Sequence, residues 1–255
     1  MTPLFEFSNV WFQYDGLSDC ALCGLTVAIP RGEKIAVLGR NGAGKSTFFL
    51  HCNGLLRPQR GEIRFRDEAL SYTRTDLRQM RRQVGIVFQN PDDQLFSASV
   101  RQDISFGPLN LGLSLADTAR RVRQAAELCG VSHLLDRPTH ALSGGEKARV
   151  AMAGVLAMEP SVLLADELMS AIDPWARLDI FEIFQALHNR GTTVLLATHD
   201  LSVVRYWATH VIVLQKGKIA FSGTPAQLLG NQSVLETTEL SKIWWNVEMT
   251  MEKRT

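Results

Sequence analysis

The sequence predicts an α/β fold built around a parallel sheet, and three patterns carry that prediction. Four short runs are apolar nearly throughout: KIAVLG (34–39), SVLLADE (161–167), TTVLLATHD (192–200) and HVIVLQKG (210–217). Helical stretches alternate with them in the second half, and strands apolar on both sides belong to sheets covered on both faces. A glycine-rich loop joins the first of these strands to a helix, while the middle third turns helical and reads as an insertion in the sheet.

The elements follow in chain order. FEFSNVWFQY (5–14) and LTVAIP (25–30) read as two strands, with a turn at Asp15 and Gly16 between them and Pro30 closing the second. After KIAVLG comes a helix, STFFLHCNGLL (46–56), stopped by Arg57 and Pro58. GEIRFR (61–66) is another short strand. Thr75 is placed to cap a basic helix running to Arg82, with Leu77 and Met80 on its inner side. Ser114 with Asp117 three residues on resembles a capping box, and Val122, Ala126 and Cys129 recur at helical spacing until Gly130. Helices are expected around 179–188 and near Val203, and KIAFSG (218–223) is the last strand. There is no internal repeat and no low-complexity linker.

Bulk properties exclude several function classes. The 255 residues can bury a sizeable core, with 45% hydrophobic content and a formal net charge of +1. That balance is unlike the basic footprint of a nucleic-acid binder. No apolar run reaches the roughly 18 residues a membrane span requires, since AMAGVLAMEPSVLLA is cut by Glu159 and Pro160. The amino end has no basic n-region or cleavage site, so a soluble intracellular protein is expected. Four scattered cysteines fit a reducing compartment. Cys20 and Cys23 have the C-x-x-C spacing of a metal or redox pair, but no second pair answers them, and they are read as small apolar filler.

Three segments carry chemistry. Gly39-Arg40-Asn41-Gly42-Ala43-Gly44-Lys45-Ser46-Thr47 fits G-x-x-x-x-G-K-[ST] between a strand and a helix. Glycines let successive backbone N–H groups converge on phosphate oxygens, and the helix N-terminus adds partial positive charge. Lys45 would reach the β- and γ-phosphates of a bound nucleotide and the Ser46 hydroxyl would sit on Mg²⁺. The apolar strand 162–165 ends in two acids: Asp166 suits a second Mg²⁺ anchor and Glu167 the base that aligns or deprotonates an attacking water. Leu142-Ser143-Gly144-Gly145-Glu146 opens a helix rich in small residues; Ser143 reads as its cap, and the exposed N–H groups favour an anion.

In this order, the phosphate loop, Gln89, LSGGE, LLADE and ATHD resemble the ATP-binding cassette family of ATPases, over nearly the whole chain to about Leu229. The resemblance implies a P-loop NTPase core sheet of RecA-like type, an N-terminal antiparallel β subdomain and an inserted α-helical subdomain at about 90–158, all within 1–230. The tail at 231–255 has no assigned role. It also implies a second copy of the ATPase, in a head-to-tail dimer where Ser143, Gly144 and Gly145 of one copy close on the γ-phosphate held by the other. His199 then looks like the switch histidine at the γ-phosphate, Tyr14 like the ring against adenine, and Gln89 like the hinge glutamine touching Mg²⁺ or water. Ser170-Ala171-Ile172-Asp173 resembles the loop through which the copies sense each other's sites.

The wording NPDDQLF (90–96) more narrowly resembles the ATPase subunits of energy-coupling-factor importers of vitamins and transition-metal ions. FGPLNLGL (106–113) and AGVLAMEP (153–160) look most like the cobalt/nickel type (CbiO-like). That resemblance implies an integral membrane coupling subunit, a substrate-binding membrane subunit and a peripheral position on the cytoplasmic face of the membrane. Gln94, Leu95 and Phe96 are expected at the groove that accepts a helix of the membrane partner. Other readings are a vitamin-type importer ATPase, a soluble cassette ATPase that remodels nucleic acid or a ribosome, and a non-hydrolysing scaffold. Departures from the family pattern are Glu146, where glutamine is commoner, and Leu168-Met169, where Pro-Thr is usual. Arg74, Arg78, Arg81 and Arg82 read as a solvated helix face, with lipid headgroups as the sharper alternative.

Overall fold

A computed structural model describes residues 3–168 and 174–240. Met169 to Asp173, and with them the expected sensing loop and Asp173, lie outside the described residues, as do Trp244 and Trp245. The chain divides into two units, one formed by residues up to Thr73 together with those from Leu195 onward, the other by Arg74–Val194. The architecture is mixed α/β, with an antiparallel N-terminal sheet and a parallel-rich sheet.

In the first unit, β1 (Phe5–Phe12), β2 (Leu22–Ile29), β4 (Arg60–Phe65) and β5 (Glu68–Ala69) form an antiparallel sheet in the order β2-β1-β4-β5. Phe5 and Phe7 leave this sheet toward one side and are fully buried. Phe5 packs on Phe65 and Phe7 on Phe48, each at 4.9 Å between ring centroids. Burial of rings this size contributes roughly 1.5–3 kcal/mol each, which seats the helix carrying Phe48 against the sheet. That helix, α1 (Lys45–Cys52), is shorter than the sequence suggests. Asn53 caps it and Gly54 turns left-handed at φ 69°, so NGLL leaves the helix before Arg57 and Pro58 are reached.

The second sheet of this unit runs β10-β9-β3-β8, from β3 (Lys34–Leu38), β8 (Thr193–Thr198), β9 (His210–Gln215) and β10 (Lys218–Gly223). β3 and β9 are parallel, with Ala36 opposite Val211 and Leu38 opposite Val213. β8 is buried from end to end, as its apolar run requires. β9 and β10 form a hairpin over Lys216 and Gly217, both at positive φ, the geometry a two-residue turn needs. Short helices α7 (Leu201–Tyr206), α8 (Pro225–Leu229) and α9 (Gln232–Thr237) complete the unit.

In the second unit, α2 (Arg74–Gln83) leads into β6 (Val84–Val87), which pairs in parallel with β7 (Val162–Asp166). Between them come α3 (Val100–Asn110), α4 (Leu115–Leu128) and α5 (Gly144–Leu156), and α6 (Pro174–Asn189) follows β7. Ser99, Ser114 and Ser143 each cap their helix by accepting a backbone N–H, as the sequence predicts for the last two. Val122, Ala126 and Cys129 are buried at the predicted spacing. α2 starts at Arg74, so Thr75 lies inside the helix instead of capping it. Its arginines are exposed, as expected of a solvated face, and two of them also bond to the chain. Arg78 donates to the Asn110 carbonyl at 2.8 Å and Arg82 to the Leu111 carbonyl at 3.2 Å, satisfying acceptors at the end of α3.

Candidate functional site

Motif residues are built into both units, each by local rules. In the first, the glycine-rich loop leaves β3 after Leu38 and enters α1 with Gly44 at the N-cap. Gly44 sits at φ 104°, and a Cβ there would lie 2.6 Å from the Ala21 carbonyl oxygen, so only glycine lets the chain pass. Lys45 is 5% exposed, and its ammonium donates to the Gly39 carbonyl at 2.7 Å and the Arg40 carbonyl at 3.2 Å. Those bonds curl the loop around the lysine. Arg40, Asn41, Gly42 and Ser46 are exposed, while Ala43 and Thr47 are buried. Helix α1 has no side-chain cap, which leaves its first turn to the loop's own backbone.

Tyr14 stands beside this loop. Its hydroxyl lies 3.2 Å from Thr47 Oγ1, and its ring meets Phe12 edge-on at 5.0 Å. His199 is exposed just past β8, which neighbours β3 in the sheet. Asp200, the next residue, caps α7 by accepting the Ser202 N–H at 2.8 Å, and so fixes the turn that presents His199. Arg40 also pairs with Glu239 at 2.6 Å, a link between the phosphate loop and the end of α9 that no motif announces.

In the second unit, β7 delivers Asp166, 5% exposed, and then Glu167 at φ 42°. A non-glycine residue held left-handed costs of order 1–3 kcal/mol and is typical of functional turns. Gln89 Nε2 donates to Glu167 Oε2 at 3.3 Å. The helix tip is also set: Ser143 Oγ accepts the Glu146 N–H, while the Glu146 carboxylate accepts the Ser143 N–H at 2.7 Å. This is a complete capping box. Those bonds, first from the Ser143 backbone, hold the Glu146 carboxyl below its ordinary range, and Arg137 adds a contact at 3.4 Å. Ser143 and Gly144 remain exposed at the tip.

Gln94, expected at the docking groove, lines the groove along α2 and α3, and its side chain is also a structural tie. Its side chain accepts the Phe88 N–H at 3.2 Å and donates to the Ala151 carbonyl at 3.0 Å, which ties the end of β6 to α5. Lys147 of α5 reaches Asp92 at 2.5 Å and makes a second tie. Phe96, 65% exposed, instead meets Phe106, 50% exposed, edge-on at 4.7 Å. This pair borders a groove of about 760 Å³ along α2 and α3. The Cys20–Cys23 reading is corrected too: the two are not filler but form a disulfide, their Cα atoms 5.6 Å apart, inside the range a bridge requires.

The model of the ABC transporter family matches residues 22–170 of the chain, more than half of it. The chain belongs to the ABC transporter family. As a member it is an ATPase. An energy-coupling factor transporter ATP-binding protein, EcfA of Methanocaldococcus jannaschii, is 40% identical over 93% of this chain and 85% of its own length. The structure of cbiO1 from Clostridium perfringens, part of the ABC transporter complex cbiONQ, superposes with a TM-score of 0.82 at 38% identity. That match covers 97% of this chain and all of cbiO1. The ATP-binding cassette MJ0796, in a dimeric post-hydrolysis state bound to ADP and Pi, gives 0.79 at 25% identity over 87% of this chain and 98% of that one. Among ABC family members, the chain is thus similar to ATP-binding subunits of the energy-coupling-factor type.

Proposed function

We propose that this ABC ATPase is the motor subunit of an energy-coupling-factor importer whose cargo is a transition-metal ion, cobalt first and nickel next. The observation that carries the reading is the end-to-end likeness to cbiO1, a part of cbiONQ. The wording of residues 90–96, 106–113 and 153–160 supports it. The reading gives the chain a second ATPase copy, an integral coupling subunit and a substrate-binding membrane subunit, and a peripheral place on the cytoplasmic side. No described helix is long and apolar enough to cross a membrane.

In the proposed cycle, ATP is held by the loop from Gly39 to Thr47, with Lys45 on the β- and γ-phosphates and Tyr14 against adenine. Ser143, Gly144 and Gly145 of the second copy close on the γ-phosphate, and the loop from Ser170 to Asp173 is the one through which the copies sense each other's sites. Glu167 aligns or deprotonates the attacking water and His199 steadies the γ-phosphate. Mg²⁺ fits the donor set: the Ser46 hydroxyl, the Asp166 carboxylate and the Gln89 carbonyl oxygen are hard oxygen ligands. The Gln89 amide nitrogen already serves Glu167, which makes its oxygen the donor for a cation. Bound there, the ion would neutralise charge on the phosphates.

The test is a detergent pull-down from native membranes with the tagged chain, identification of the integral subunits, and ⁵⁷Co²⁺ and ⁶³Ni²⁺ uptake in their presence. The reading expects a membrane coupling subunit and ATP-dependent uptake of one of the two ions. Recovery of a vitamin-binding membrane subunit, without ion uptake, would replace the cargo assignment.

A further inference from the structure

The segment between the two cysteines abuts the phosphate loop. Ala21, between the two cysteines, presents the carbonyl oxygen that leaves no room for a Cβ at Gly44. The same oxygen would lie 2.8 Å from a Cβ on Gly217, and Cys23 Sγ 3.0 Å from it. Backbone bonds continue the connection: the Cys23 N–H donates to the Gly217 carbonyl at 2.9 Å, and the Gly217 N–H donates to the Ala43 carbonyl at 3.0 Å. On the other side the Ala21 N–H donates to Phe12 O at 2.8 Å, anchoring both ends of the segment that carries Tyr14. Two backbone bonds therefore separate the bridge from the phosphate loop.

The chemistry suits exchange. Cys20 is partly exposed while Cys23 is 9% exposed, an arrangement of one accessible sulfur and one sheltered behind it. The other cysteines, Cys52 and Cys129, are buried thiols. Burial pushes the Cys52 thiol well up and the Cys129 thiol up to about 12, so neither supplies a thiolate near neutral pH.

We propose that Cys20 and Cys23 form a thiol–disulfide exchange site, for a small disulfide of the glutathione class, that sets nucleotide affinity at the phosphate loop. This rests on the loop from Gly39 to Thr47 holding ATP. In the oxidising direction the Cys20 thiolate attacks the small disulfide, forming a mixed disulfide and releasing one thiol. The Cys23 thiolate then attacks the Cys20 sulfur and releases the second thiol. Two protein thiols lose two electrons and two protons, and the small disulfide takes them up as two thiols. The closed ring fixes Ala21 against Gly44 and pre-organises the loop. Opening it restores freedom that nucleotide binding must then remove.

The full-length protein is equilibrated with oxidised or reduced glutathione, its thiols are counted by alkylation and mass after denaturation, and binding of a fluorescent ATP analogue is titrated. Two alkylated thiols are expected in the oxidised sample and four in the reduced one, with affinity about fivefold weaker after reduction. Cys20→Ser and Cys23→Ser should show the weaker affinity in both buffers with an unchanged melting transition. Four thiols in the oxidised sample, equal affinities in the two states, or tighter binding by the reduced protein each overturn the proposal. Absence of analogue binding in both states would remove the phosphate-loop assignment along with it.

Discussion

Gln89 donates through its side-chain amide to Glu167, and strand register is what brings the two together. β6 and β7 run parallel with Val87 opposite Ala165, and each of the two residues lies two positions past its member of that pair. A movement of the segment after Gln89 is therefore felt at the carboxylate without any intermediary. At 3.3 Å the bond is long enough to be exchanged easily for a ligand or water.

Glu167→Gln keeps the shape and the Gln89 contact but removes the carboxylate proposed as the base. ATP binding should persist, phosphate release should fall by 10²-fold or more, and an ATP-bound dimer should accumulate in light scattering. Equal turnover by the variant and the parent would take Glu167 out of that role.

Gly44→Ala tests the phosphate loop through its backbone. The new methyl meets the Ala21 carbonyl at a φ that alanine avoids, so a cost of about 1–3 kcal/mol is expected. The melting temperature should fall by several degrees and ATP should no longer raise it. A variant that ATP stabilises as strongly as it does the parent would show that this close approach does not shape the site.

Most of the fold was legible because its central strands are apolar throughout: KIAVLG, SVLLADE, TTVLLATHD and HVIVLQKG all become strands, and β3 with β9 and β7 with β6 pair in the expected parallel sense. The phosphate loop and the Ser143 cap were equally legible, since spacing alone places them between a strand and a helix or at a helix start. Periodicity could not show the end of α1, because Asn53 and Gly54 decide it through local backbone conformation. Nor could it show bonds between distant positions, such as Gln94 to Ala151 or Arg40 to Glu239, which only the folded chain brings together. The Cys20–Cys23 bridge was missed for a related reason. A spacing of three permits a bridge, but the turn geometry between the two residues determines whether it closes.

Gln94→Leu separates positioning from docking. Leucine nearly matches the volume but strands the Phe88 N–H and the Ala151 carbonyl, at a cost of about 1–3 kcal/mol. Urea denaturation of the isolated subunit should register that loss before any partner is added. Unchanged stability would remove the tie between β6 and α5 from the role of Gln94.

Glu146 has its own pH signature. Its carboxyl is depressed below the unfolded value by the Ser143 bond, so its contribution to stability is present above the unfolded pKa of about 4.3 and disappears as pH falls through the folded value. Glu146→Gln retains the capping-box geometry without a titrating group. The variant should be somewhat less stable than the parent near pH 7, keep its ATP turnover, and converge with the parent below about pH 4 in an acid-denaturation series. Parallel acid curves would mean that the box contributes nothing to the titration.

Phe96 and Phe106 carry the last prediction, because their exposure has no explanation inside the second unit. An edge-on pair contributes about 0.5–1.5 kcal/mol beyond area, while both residues are largely exposed beside the groove along α2 and α3. Soluble surfaces seldom gather large apolar side chains without a partner to cover them. Replacing both with serine should therefore cost the isolated subunit at most about 1.5 kcal/mol and leave its basal ATPase intact, yet abolish co-purification with the membrane subunits. The comparison with Gln94→Leu is decisive: that change should weaken folding first, whereas the double serine change should weaken assembly first. Retained co-purification by the double variant would move the docking site away from this aromatic pair.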